Sequence, residues 1–130
     1  MSHDLLLTES VSRAVGDLEH AFPDRVSLEA DGSGGAVITV GGFALGARWA
    51  PATADLAFHV PFNYPWAAIY PYYLISGSWS NVPASPALQR VNWRGRDVVQ
   101  ISLRHNGWTP QIDTALGCVR QVIRWLRQVP

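Results

Sequence analysis

Between positions 62 and 75 the chain reads Phe-Asn-Tyr-Pro-Trp-Ala-Ala-Ile-Tyr-Pro-Tyr-Tyr-Leu-Ile, and this stretch constrains the fold more than any other. Pro65 and Pro71 lack the N–H that a central strand must donate to its neighbour, so the whole segment cannot be one. Its aromatic density nevertheless calls for ordered packing. It therefore reads as an extended crossover that becomes a strand only at Tyr72–Ile75.

Before the crossover, Val11, Ala14, Val15, Leu18 and Phe22 recur at helical spacing. Thr8 or Ser10 suits the cap, and Pro23 closes the helix. Residues 26–30 and 36–40 read as strands joined by Asp31-Gly32-Ser33-Gly34-Gly35. That glycine cluster lacks a Gly-Lys-Ser/Thr ending and no helical pattern follows it, so it is a hairpin turn and not a phosphate loop. Residues 41–49 form a third, weaker extended segment, and residues 55–61 a short strand carrying His59. His59 is a candidate ligand or base, although a lone histidine in an apolar strand is usually structural.

After the crossover, residues 76–90 are rich in Ser, Pro, Gly and Asn and read as a long loop, a length often associated with function. Residues 98–103 form a strand, and Arg104-His105-Asn106-Gly107 a turn. Trp108-Thr109-Pro110 then opens the last helix, with Thr109 as N-cap and Pro110 in the first position. Its buried stripe is Ile112, Ala115, Leu116, Val119, Val122, Ile123 and Leu126. The sum is one α+β domain over residues 1–130 with a mainly antiparallel sheet.

Composition narrows the function classes. The formal net charge is zero, which argues against a general nucleic-acid binder. The balance is uneven, however. Residues 1–89 carry three Arg against eight acids, whereas residues 90–130 carry seven Arg against two Asp. This basic final third suits either a solvated face or an acidic partner. All ten basic residues are Arg, so the chain has no lysine side-chain amine. With Cys118 as the one cysteine, an internal disulfide is excluded. The start of the chain has no signal-peptide pattern and no apolar run reaches membrane-spanning length, so a cytoplasmic protein is expected.

Three features in order give the chain a resemblance to the ubiquitin-conjugating-enzyme superfamily. They are Tyr64-Pro65 with Pro71, then Gln100-Ile101-Ser102-Leu103, then Trp108-Thr109-Pro110. In that family a helix and a strand meander precede a Tyr-Pro crossover. A nucleophile loop of the pattern Gly-x-Ile-Cys-Leu and a Trp-Ser/Thr-Pro helix start come next. Here Ser102 stands where the catalytic cysteine is expected. The family's His-Pro-Asn tripeptide is absent, with Asn92 the nearest upstream candidate. The order agrees from about Val11 to Leu126, and the chain looks most similar to the divergent bacterial members.

The resemblance implies the family's fold and an acyl carrier. Such a carrier accepts a ubiquitin-like protein from an activating enzyme and passes it to a target amine, without a metal or bound cofactor. Membranes and nucleic acids are not expected partners. A serine hydroxyl needs a base within hydrogen-bond reach before it attacks a carbonyl. His105 is the nearest candidate, brought to Ser102 only if the chain turns after Leu103. Asn92 or Asn106 is the candidate donor to the developing oxyanion. Asp97 is a candidate to orient His105.

Two rival classes follow. One is a catalytically inactive binding or adaptor module of the same fold, in which Ser102 is a plain exposed strand residue. The other is a small serine hydrolase, disfavoured by the lack of a Gly-x-Ser-x-Gly elbow. Cys118, within the last helix, reads as a buried small hydrophobe and not as the nucleophile. Arg120, Arg124 and Arg127 on the same helix suit docking or solvation equally.

Overall fold

The computed structural model describes residues 6–104, 108–109 and 114–129. Thr8 has extended backbone, and its hydroxyl accepts a hydrogen bond from the Val11 N–H at 3.3 Å, opening α1 (Glu9–Ala21). The cap satisfies one of the four free N–H groups at a helix start. Val11, Ala14, Val15 and Leu18 form the buried stripe of α1. Phe22 ends it, one residue before Pro23.

Six antiparallel strands follow: β1 (Val26–Ala30), β2 (Ala36–Ala44), β3 (Thr53–Val60), β4 (Tyr72–Ile75), β5 (Leu88–Trp93) and β6 (Arg96–Ile101). Their spatial order is β1-β2-β3-β4-β6-β5. The Asp31–Gly35 turn joins β1 to β2 as the sequence predicts, with Ala30 opposite Ala36. One carboxylate oxygen of Asp31 accepts from the Ser33 and Gly35 N–H groups at 2.7 and 3.1 Å. Gly35 is required there because a Cβ would sit 2.5 Å from the Val60 carbonyl oxygen.

Alternation sorts the strand residues onto two faces. Ile38, Val40, Leu56, Phe58, Leu74, Val99 and Ile101 are fully buried in one cluster with the stripes of α1 and α2 (Ala115–Gln128). Both helices therefore cover the same face. Complete burial of each Leu or Phe side chain contributes roughly 1.5–3 kcal/mol.

The other face carries Thr39, Asp55, Ala57, His59, Tyr73, Gln100 and Val91. No helix of the described residues covers it, yet Ala57 and Val98 are buried there. The β5–β6 hairpin supplies the cover. Its turn is Arg94-Gly95, with φ of 55° and 80°, the left-handed pair of a tight two-residue hairpin. The Trp93 ring stacks on Tyr73 at 4.2 Å, and Arg94 reaches Glu29 of β1 at 2.6 Å. Because β1 and β5 are at opposite ends of the strand order, that ion pair requires the hairpin tip to arch over this face.

Three expectations are corrected. The segment over 41–49 is not a third strand. β2 continues through a bulge between Val40 and Phe43, with Gly42 at φ 80°, as far as Ala44. The loop expected over 76–90 ends at Ala87, where β5 begins. It is a packed structure, tied to Ala50 by the Ser80 and Asn81 N–H groups at 2.8 and 3.0 Å. Trp79 from this loop packs edge-on against Trp49, and the Trp49 indole N–H in turn donates to the Leu126 carbonyl at 3.1 Å. The last helix is capped by Thr114, whose hydroxyl accepts from the Gly117 N–H at 3.0 Å, and not by Thr109. Pro110 and Ile112 lie outside the described residues. His59 is exposed on β3, and its Nε2 lies 2.7 Å from Asp31 Oδ2 of the β1–β2 turn.

Candidate functional site

Ser102 follows the last residue of β6. Its N–H donates to the Ala87 carbonyl at 2.8 Å, which extends the β5–β6 ladder by one bond. Ile101 beside it is wholly buried and Ser102 half-buried. The fold thus anchors the backbone of Ser102 while leaving its side chain partly open. Ser102 Oγ accepts a hydrogen bond from Gln100 Nε2 at 3.3 Å, as residues two apart share a strand face.

The crossover is tied to the chain that follows this strand end. Tyr64 of the crossover accepts a hydrogen bond on its hydroxyl from the Ala115 N–H at 3.0 Å, the first residue of α2. The Pro65 carbonyl accepts from the Trp108 indole N–H at 2.7 Å. The Arg104 guanidinium lies 4.0 Å from the centre of the Tyr70 ring. Burial pushes the Tyr64 hydroxyl above its ordinary range, with the Ala115 N–H pulling it partly back.

The described imidazole on the face of Ser102 is His59. Phe58, Tyr72 and Ile101 oppose one another across β3, β4 and β6, so His59, Pro71 and Ser102 form the next row. Two strand spacings separate His59 from Ser102, about 10 Å between backbones, beyond direct hydrogen-bond reach. His59 Nε2 instead lies 2.7 Å from Asp31 Oδ2. That bond, followed by the Ser33 N–H, holds the Asp31 carboxyl below its ordinary range. Asp31 and His59 are 28 residues apart, and no local motif signals their meeting.

The other sequence candidates divide sharply. His105 and Asn106 lie outside the described residues. Asn92 is exposed on β5 opposite Asp97. It is five residues from Ala87, the partner of Ser102, which is about 16 Å of extended strand. The ladder therefore does not bring Asn92 to Ser102. Asp97 pairs with Arg90 at 2.8 Å.

Cys118 is 3% exposed within the core stripe of α2, against Tyr72. Burial pushes the Tyr72 hydroxyl far above its ordinary range and the neighbouring Cys118 adds to the shift. A thiol so enclosed is inaccessible to a protein substrate. Among the described residues no group of three or more His, Cys, Asp or Glu is placed to hold a metal ion. None of the described helices is long and apolar enough to cross a membrane.

No protein-family model, curated protein or solved structure matches this chain. What it does is therefore argued from the site itself.

Proposed function

We propose that the chain is a ubiquitin-conjugating-type acyl carrier that accepts a ubiquitin-like protein at Ser102. The observation that carries this reading is the tie between the Tyr64-Pro65 crossover and the chain that follows Ser102. Trp108, six residues after the serine, donates to the Pro65 carbonyl, and the Tyr64 hydroxyl accepts from the Ala115 N–H.

In the loading step, Ser102 Oγ attacks the carbonyl carbon of the thioester on an activating enzyme. A C–O bond forms, the C–S bond breaks, and the hydroxyl proton passes to a base while the activating enzyme recovers its thiol. In the second step a target amine attacks the ester carbon, the C–O bond breaks, and Ser102 is reprotonated. His105 is the proposed base and Asn106 the proposed oxyanion donor, with Asn92 too far along β5 for that role. No metal or bound cofactor enters either step; ATP is consumed by the activating enzyme.

One observation favours a second reading, a catalytically inactive binding or adaptor module of the same fold. The contact to Ser102 Oγ among the described residues is the Gln100 amide, which cannot accept the hydroxyl proton as a base would.

Incubation with an activating enzyme, its ubiquitin-like protein and ATP separates the two. A carrier forms an adduct that resists thiol reductant, breaks in mild base and disappears in S102A but not in C118A. A reductant-labile adduct lost only in C118A moves the site to the helix. No adduct, with the activating enzyme shown to be charged, selects the binding module.

A further inference from the structure

A cleft of about 620 Å³ lies on the helix side, away from Ser102, between the end of α1, the bulged part of β2 and α2 from Arg120 onward. Among the described residues, four guanidiniums line it, those of Arg25, Arg120, Arg124 and Arg127, and no carboxylate does. In a chain of zero net charge this is a concentrated positive field.

Two of the four are held in place. Arg25 donates through Nε to the Gly41 carbonyl at 2.6 Å, and its guanidinium lies 5.1 and 4.8 Å from the centres of the Phe22 and Phe43 rings. Arg127 donates through Nε to the Ala44 carbonyl at 2.8 Å. Both carbonyls belong to the stretch of β2 displaced by the Gly41-Gly42 bulge. Using Nε this way leaves the paired terminal N–H groups of each fork free for an oxyanion. The Asp55 carboxylate at the bulge accepts from the Gly42 N–H at 3.0 Å and does not line the cleft.

Arg120, Arg124 and Arg127 follow i, i+4, i+7 along one helical stripe, where like charges repel. None of the hydrogen bonds or ion pairs between described residues involves Arg120 or Arg124. Favourable interaction with the helix dipole accounts for cations in the last turn. It does not account for Arg25, which comes from another element and points into the same cleft.

We propose that this cleft docks an acidic peptide segment of a partner protein. Two or more carboxylates would meet the arginine forks, and an apolar side chain would rest against Phe22, Phe43 and Ile123. The three α2 arginines extend over about 10 Å of helix, longer than one phosphate group can cover, and the cleft floor is aromatic. The proposal is independent of any chemistry at Ser102.

The test is fluorescence anisotropy of a labelled peptide of repeated Glu-Glu-Phe units against the full chain. Wild type is compared with R120E/R124E, whose side chains hold no described contact, and with R48E as a control elsewhere on the surface. Circular dichroism confirms that each variant is folded. The expected result is saturable binding, weakened about tenfold or more in R120E/R124E and unchanged in R48E. Replacing Phe by Ser in the peptide should weaken binding as well. Equal loss in R48E, no saturable binding, or displacement by tripolyphosphate with no need for the Phe residues would each overturn the proposal.

Discussion

The two faces of the sheet are stabilised in different ways. The helix face is sealed by residues such as Phe58 and Leu74, which are wholly buried and contribute mainly by apolar area. The hairpin face holds together through individual partnerships: Tyr73 on Trp93, His59 with Asp31, Arg94 with Glu29. The difference teaches where sequence can vary and where the fold can answer a ligand. A close-packed apolar core responds as a whole to the loss of a side chain, whereas a face built from separate polar and aromatic pairs loses one pair at a time.

The largest test of this contrast pairs Phe58→Ala with Tyr73→Ala, the first on the sealed face and the second under the hairpin. Chemical unfolding should show Phe58→Ala losing about 3–5 kcal/mol, from transfer and cavity costs together. Tyr73→Ala should lose less, about 1–2 kcal/mol, because its stack and partial burial are all that goes. Equal losses would mean the hairpin face is as tightly packed as the core.

A smaller effect is expected at Asp31, where the contribution depends on pH. The folded state holds its carboxyl below the usual value, so the unfolded chain takes up a proton first as pH falls. The stabilisation is thus present above the unfolded pKa of about 3.9 and lost as pH drops through the folded value. Unfolding of D31N should show a deficit of about 1 kcal/mol at pH 6 that closes below about pH 4. A deficit that persists undiminished at pH 2 would assign the role of Asp31 to its turn geometry, not to its charge.

The smallest effect belongs to the hairpin tip. The Arg94–Glu29 pair is well exposed on both sides, so E29Q should cost at most about 0.5 kcal/mol at low salt and nothing measurable at high salt. A larger or salt-independent loss would show that the arch depends on this contact rather than on Trp93.

Where sequence reasoning succeeded, the determinants were local. Periodicity and the Thr8 cap located α1, the glycine-rich turn fixed the β1–β2 hairpin, and the two prolines placed the start of β4. The β5–β6 hairpin was missed because its turn is Arg94-Gly95, without the Asn or Asp that usually marks a left-handed first residue. β2 was cut at Val40 because a Gly-Gly pair reads as a break, although it forms a bulge here. Thr109 and Thr114 are equally good caps in isolation. Docking of Ala115 on the Tyr64 hydroxyl is a tertiary contact that no local pattern announces. The same holds for the site: Ser102 could be placed at a strand end, but the Asp31–His59 pair and the four-arginine cleft assemble from distant positions.

The most direct test of the proposed acyl carrier is to exchange the nucleophilic atom. Ser102→Cys, charged with an activating enzyme, its ubiquitin-like protein and ATP, is followed by intact-protein mass with and without thiol reductant. The account predicts that the wild-type adduct survives reductant and that the S102C adduct forms and is cleaved by it, as an ester becomes a thioester. An S102C adduct with the reductant resistance of wild type, or none from either protein, would contradict it.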